Sequence, residues 1–405
     1  MKILFISTMY PNPLRDDTPV CHFFAKEWKD MGHEILVVHY RSMFPYIYLL
    51  AAKMLPWLAI KYIGNRIETD RNMNVVKSEK DGIQVYSYPI FKYIPHGKYS
   101  KHEINKKLNE LLDLLKKNDF APDAIVGHFY NPQLEIISRL KDYFPNASTC
   151  VSLHEMYTEV IKKNYPKDYK QLLDSIDTIG FRSVPIQRSY EANYGRHKSV
   201  LCFSGVSRTY LETPIQVKEF GDGALSKFIY VGQFIERKHA GEIVEALNKV
   251  YEEKDFSLCM VGKHEFLYEQ VKNNVEKLGL TNNVKFVDFI PRDQIMQYYD
   301  EAECFIMISN YEVFGLVYLE AMARGCIAIA ARNEGMDGII KDGVNGFLCE
   351  AGNAEELASI IQRINYMSAE EKKKISEEGR KTAESLSDYN VAKTYLDAIM
   401  PKSKM

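Results

Sequence analysis

Glu312 and Glu320 stand on either side of a Phe314-Gly315 pair, inside the stretch 308–348 that reads ISNYEVFGLVYLEAMARGCIAIAARNEGMDGIIKDGVNGFL. An apolar run ends near Ser309, a polar turn carries Glu312, and the pattern from Gly315 to Gly325 reads as a helix. The leading N–H groups of such a helix, at Phe314, Gly315 and Leu316, have no carbonyl partner within it. With the positive end of the helix dipole they favour a phosphate or diphosphate. Gly315 has no Cβ, which lets an anion approach the main chain. Glu312, placed before the helix, would reach one side of that anion; Glu320, more than a turn inside, would hydrogen-bond a diol such as a ribose on the other. Taken alone, the same two carboxylates serve equally well as helix caps or dipole partners.

Such a site needs strands to carry it. KILFIST, a polar turn, the helical VCHFFAKEWKDMG and the strand HEILVVHY make a parallel β-α-β unit at the start of the chain. IQVYSY, DAIVGHF, STCVSLH and SVLCFS continue the strands, and HEINKKLNELLDLLKK is an amphipathic helix. After a Pro- and Gly-bearing stretch at 214–226 the alternation resumes with KFIYVG, FSLCMVG, VKFVDFI, ECFIMIS and CIAIAA. The expected fold is α/β, two doubly wound Rossmann-like domains facing a central cleft. Residues 1–205 form the first, 206–225 a linker and 226–380 the second. Ligands of such sheets lie beyond the carboxyl ends of the strands, which singles out His128, His154, Gly232 to Lys238, Gly262 and Ser309 to Gly315.

The 405 residues are 46% apolar and 26% charged, enough for a real core. Lys+Arg of 52 against Asp+Glu of 54 excludes a globally basic nucleic-acid binder. The first half carries a basic excess and the second an acidic one, so the two halves should meet different partners. The seven cysteines are widely spaced, with no CxxC pair or metal knuckle, as suits buried reduced thiols in a cytosolic protein. MKILFIS leads straight into a polar turn, unlike a signal peptide, and no uncharged apolar stretch is long enough to span a bilayer. The segment 41–66, RSMFPYIYLLAAKMLPWLAIKYIGNR, breaks the α/β pattern. Rich in Leu, Ile and aromatics and flanked by Lys and Arg, it either lies on an anionic membrane surface or folds over its domain as a buried helical pair.

Over nearly its whole length the chain resembles glycosyltransferase family 4, retaining nucleotide-sugar enzymes of the GT-B fold. Glu312 and Glu320 match the paired glutamates of that family, Phe314-Gly315 its Phe-Gly, and Glu320 to Ala323 its Glu-Ala-Met-Ala run. The resemblance implies a sugar transfer from a nucleotide-diphosphate sugar to a glycan hydroxyl, with retention, in polysaccharide biosynthesis of the capsule, O-antigen or lipopolysaccharide, or exopolysaccharide kind. Lys238, in YVGQFIERKHAGEIVEAL, takes the place of the lysine that contacts the donor diphosphate. Gln233 stands where the family usually has Arg; Arg237 either takes that role or points to solvent. Residues 381–405 resemble the terminal helices of the family, which implies a C-terminal helix crossing back to the first domain. His128, in PDAIVGHFYNP, takes the place of the histidine beside the transferred sugar, and SLHE around His154 that of a strand end near the acceptor. TMYPNPLRDDTPVCHF lacks the family's paired glycines, leaving Thr18 and its neighbours to border the acceptor; FSGV, with Ser204 for Asn, stands at the crossover between domains.

The resemblance thus implies catalytic roles for His128, Lys238 and Glu312, and donor contacts from Lys238, Ser309, Glu312, Phe314, Gly315, Leu316 and Glu320. With no Asp-x-Asp triplet, no metal and no cofactor are expected beyond the donor itself. The basic, apolar first half favours an anionic lipid carrier, which the resemblance implies is a polyprenyl-diphosphate-linked acceptor met by peripheral attachment at the inner face of the cell membrane; a soluble acceptor is the alternative. A nucleotide-sugar 2-epimerase of the same architecture, or a non-catalytic sugar-nucleotide binder, are the alternatives. EGMDGII at 334–340 departs from the family's glycine-rich form at the sugar-facing loop, so the donor base and sugar do not carry over.

Overall fold

The computed structural model describes all residues except 12–20, 55–71, 95–96, 216, 265, 293 and 401–405. Thr18 and the second part of the 41–66 segment therefore lie outside the described residues. The chain divides into two compact units. Met1–Arg182, Ile186–Cys202 and Ala392–Met405 make the first; Ser183–Pro185 and Phe203–Val391 make the second.

The first unit is built on β1 (Lys2–Ser7), β2 (Glu34–Met43), β3 (Val76–Lys80), β4 (Ile83–Phe91), β5 (Ala124–His128), β6 (Ser148–Leu153), β7 (Thr178–Phe181) and β8 (Ser199–Leu201). They form one sheet in the order β3-β4-β2-β1-β5-β6-β7-β8. All neighbours are parallel except β3 and β4, an antiparallel hairpin. Strands covered on both faces read as continuous apolar runs, and Ile3 to Ile6 of β1 are fully buried. The helix Lys101–Lys117 starts where the Ser100 hydroxyl accepts the Glu103 N–H and ends on Lys116 and Lys117, both favourable to the dipole. Its Ile104, Leu108, Leu111 and Leu115 are buried. From Ala392 on, the last helix belongs to this unit: Trp28 Nε1 donates to the Ala392 carbonyl at 2.8 Å, and the buried Tyr395 ring meets Trp28 edge-on at 5.3 Å.

The second unit carries β9 (Lys227–Val231), β10 (Ser257–Val261), β11 (Val284–Val287), β12 (Cys304–Met307), β13 (Ile327–Ala331) and β14 (Phe347–Cys349). They are parallel throughout, in the order β11-β10-β9-β12-β13-β14. The order reverses between β9 and β12, so these two strands end side by side at the point where open α/β sheets bind ligands. Both units are thus Rossmann-like α/β layers, as expected from the alternation. All seven cysteines are free thiols.

Candidate functional site

Lys238 leaves β9 through the turn 232–238, and Ser309 and Glu312 leave β12 through the turn 308–315. Because β9 and β12 are neighbours, residues distant in sequence meet: the Lys238 ammonium is ion-paired with Glu312 Oε2. Arg237 Nη1 lies 3.7 Å and Ser309 Oγ 3.4 Å from the same oxygen. Burial pushes the Lys238 pKa down, against the pull of the Glu312 charge. A cavity of about 400 Å³ opens beside them, lined by Gly232, Gln233, Arg237, Lys238, Glu312, Gly315 and Leu316, with Phe289 and Ile290 further along. A larger groove of 590 Å³, between the helices Ala240–Val250 and Tyr268–Lys277, holds Glu242, Glu245 and Asn274. The smaller cavity is the better candidate, because it brings two cations and a helix start to one place.

That helix is Leu316–Ala323, close to the span read from the sequence, with Gly315 as its N-cap at φ +81°. The backbone gives a further reason for a glycine here. A Cβ on Gly315 would lie 2.5 Å from the Tyr318 ring, and the left-handed backbone itself disfavours any other residue. Phe314 is buried, tilted against Phe203 with centroids 5.6 Å apart. The loop around Glu334 is tied to this turn: Glu334 Oε2 accepts the Glu312 N–H at 2.7 Å, and the Gly335 N–H is donated to the Glu312 carbonyl at 2.7 Å.

Glu320 is placed otherwise than its spacing suggested. Its carboxylate is 3% exposed and is not among the residues lining the cavity. Arg292 Nε donates to it at 2.5 Å and Tyr299 Oη at 3.4 Å. Burial raises its pKa and Arg292 opposes that rise. Arg292 comes from the loop after β11, which no short motif links to Glu320. The structure therefore brings Lys238, Ser309, Glu312, Gly315 and Leu316 together, with Arg237 and Gln233 beside them, and sets Glu320 apart in a salt bridge.

In the first unit, His128 closes β5, level with Ser7 on β1 and Ser152 on β6. It is fully buried, stacked on Phe5 at 4.9 Å, and its Nδ1 lies 2.9 Å from His154 Nε2. Its Nε2 has no hydrogen-bond partner. Burial and the Arg182 guanidinium hold both histidines well below the usual imidazole pKa, so both are neutral near pH 7. Ligand atoms of Cys21, His128 and His154 lie within 4.8 Å of one another, a grouping that no sequence spacing revealed. Burial raises the Cys21 thiol to about 12 and Arg182 adds positive charge next to the imidazoles; both oppose a cation there. Next to His154, burial lifts the Glu155 carboxyl to about 7, while burial lowers Lys92 to about 8. The sequence reading passed over both.

A family model described as glycosyl transferases group 1 matches residues 216–382, which lie within the second unit. An uncharacterized glycosyltransferase of Methanocaldococcus jannaschii is 24% identical over 318 residues, 75% of this chain and 82% of that one. The human GDP-Man:Man(3)GlcNAc(2)-PP-Dol alpha-1,2-mannosyltransferase is 30% identical over 207 residues, 47% of this chain, and the match spans only 41% of its own length. The Anabaena protein Alr3699/HepE, solved with UDP and glucose, superposes with a TM-score of 0.64 at 17% identity, covering 100% of both chains. Residues 216–382 of the second unit match the group 1 glycosyltransferases, and the two Rossmann-like sheets, with the full-length likeness in structure, give the chain the GT-B fold.

Proposed function

We propose that this protein transfers a sugar, with retention, from a nucleotide-diphosphate sugar to a hydroxyl of a polyprenyl-diphosphate-linked glycan, in the synthesis of a capsule, O-antigen or exopolysaccharide. The observation that carries the reading is the Lys238–Glu312 pair, with Arg237 and Ser309, at the adjoining ends of β9 and β12 beside a helix start. Cleaving the bond between sugar and diphosphate builds negative charge on the leaving phosphate while positive charge grows on the sugar ring. Lys238, Arg237 and the leading N–H groups of the helix are charges fixed in advance at that place. An entering diphosphate competes with Glu312 for Lys238, and the released carboxylate is then available to a sugar hydroxyl. These cations supply the charge stabilisation that a metal gives elsewhere, so the reaction is proposed to need none. His128 is assigned to the transferred sugar on the strength of the sequence resemblance.

Two likenesses support the donor and acceptor classes: the Anabaena structure holds UDP and glucose, and the human relative is named for a dolichol-diphosphate-linked acceptor. The acceptor would reach the first unit from the inner face of the cell membrane. Tyr46, Ile47, Leu50 and Met54 of the short helix Tyr46–Met54 are exposed, as are Tyr93 and Ile94. The two groups follow the ends of the paired strands β2 and β4, so they emerge side by side. Among the described residues no helix is long and apolar enough to cross a membrane. Shallow insertion supported by basic charge is the mode such a surface allows.

The test is a panel of nucleotide sugars scored for hydrolysis and transfer, followed by the mass of any polyprenyl-linked product. A product heavier by one sugar residue supports the reading. Interconversion of the nucleotide sugar with no acceptor present would assign the protein to the epimerases instead, and binding without turnover would make it a sugar-nucleotide binder.

A further inference from the structure

His239 follows Lys238 directly and has φ +52°, in the left-handed region that costs a non-glycine residue free energy. It is the N-cap of the helix Ala240–Val250, yet its side chain makes no capping hydrogen bond to the helix backbone. The imidazole goes elsewhere. Nδ1 lies 2.9 Å from Glu242 Oε1, and Nε2 lies 3.0 Å from Asn310 Nδ2. A carboxylate only accepts, so Nδ1 carries the proton and Nε2 is left to accept from the Asn310 amide. The ring therefore joins the turn that ends in Lys238 to the turn that carries Glu312. A second bond runs parallel to it, from the Asn310 N–H to the Arg237 carbonyl at 2.8 Å. Gly352 completes the fit, since a Cβ there would come within 2.7 Å of the imidazole.

We propose that His239 is a positioning residue: by bridging Glu242 and Asn310 it holds the Lys238 ammonium in register with Glu312, and it keeps a strained backbone to do so. The proposal rests on the reading of Lys238 as the diphosphate contact. A role confined to stability is distinguishable, because glycine accepts φ +52° without strain. Replacing His239 by glycine relieves the backbone and removes only the bridge.

The experiment compares wild type, His239→Gly and His239→Asn. It measures thermal unfolding, kcat and KM for whichever nucleotide sugar of the panel is turned over, and amide hydrogen exchange across 308–316. Asparagine tolerates the left-handed backbone and restores a hydrogen-bonding side chain. The expected result is a His239→Gly protein that unfolds no earlier than wild type, exchanges faster across 308–316, and loses kcat roughly ten- to a hundredfold, the penalty of small misplacement. Its donor KM should change far less, and His239→Asn should recover part of the kcat. Wild-type kcat together with wild-type exchange in a stable His239→Gly protein overturns the proposal. If wild type turns over no nucleotide sugar, the reading of the function fails, and exchange alone then decides the bridge: unchanged exchange across 308–316 refutes it, faster exchange sustains it.

Discussion

Two cations, Lys238 and Arg237, share one carboxylate oxygen of Glu312, and this makes Lys238→Ala an interpretable variant. Removing Lys238 does not strand the partly buried carboxylate, because Arg237 remains 3.7 Å away. The loss should fall on the reaction. We expect kcat/KM to drop by about 2 to 4 kcal/mol of transition-state stabilisation, the range for removing one preorganised charge donor. Steady-state kinetics before and after chelation check both halves of the claim. Wild-type rates that vanish on chelation and return with magnesium or manganese would end the metal-independent reading. Glu320→Ala differs in kind. It takes the partner from Arg292, whose side chain is 40% exposed, and from the buried Tyr299 hydroxyl, so urea unfolding should show a loss of about 1 to 3 kcal/mol. Calorimetry with the donor separates this from a ribose contact. An unchanged donor affinity in Glu320→Ala would leave Glu320 a structural role only.

The buried imidazoles give a pH signature with a definite sign. His128 and His154 have folded pKa values depressed below the unfolded value of about 6.5. Below that pH the unfolded chain binds protons that the folded chain refuses, so stability falls as pH falls, by up to about 1.4 kcal/mol per pH unit for each histidine. Glu155 runs the other way. Its raised folded pKa, about 7, favours the folded state below the unfolded carboxyl value, and that advantage is lost as pH rises toward 7. Urea unfolding at pH 7.5, 6.5 and 5.5 should therefore show a steeper acid loss in Glu155→Gln than in wild type. Equal slopes would mean that Glu155 is solvated in solution.

Among the elements, the helix Leu316–Ala323 shows what a sequence can and cannot disclose. Its start at Gly315 was legible, because a glycine before an apolar run marks a boundary whatever its cause. The cause was not legible: the Tyr318 ring and a φ of +81° appear only in three dimensions. Gly315→Ala should cost about 1 to 3 kcal/mol of stability from the strained backbone, with activity lost alongside as the helix start moves; thermal unfolding and kcat on one preparation would show both. The longer apolar runs were found as strands, whereas β7, TIGF, and β14, FLC, were missed for their shortness, and β3, VKSEK, because both its faces are polar or partly exposed. The Asp81-Gly82 turn beside it, with φ of 50° and 70°, was the available signal. The meeting of Lys238 with Glu312 was beyond reach for another reason. It depends on β9 lying next to β12, a matter of strand order, which the spacing of residues does not encode. The same holds for Arg292 with Glu320 and for Glu334 with the backbone of Glu312.

At the scale of the molecule, the acidic second half bears the cavity beside Lys238 and Glu312, and the basic first half bears exposed apolar side chains. The proposed attachment of the first unit to a membrane surface is the part most open to direct measurement. Ile47, Leu50 and Met54 are 70%, 45% and 72% exposed, so polar replacements there take little from the core. The triple variant Ile47→Ser, Leu50→Ser, Met54→Ser should unfold within about 0.5 kcal/mol of wild type, as surface substitutions usually do. Wild type should sediment with vesicles containing anionic phospholipid and be partly released by high salt. Each Lys or Arg held near the headgroups contributes about 1 kcal/mol, which salt screens, whereas apolar insertion is not screened. The triple variant should remain in the supernatant, keep its hydrolysis of the nucleotide sugar, and lose turnover of a lipid-linked acceptor. Loss of stability instead of loss of sedimentation would mean that the helix Tyr46–Met54 packs against protein in solution. Wild type that ignores anionic vesicles at low salt would remove the membrane from the reading and, with it, the main reason within this sequence for a lipid-linked acceptor.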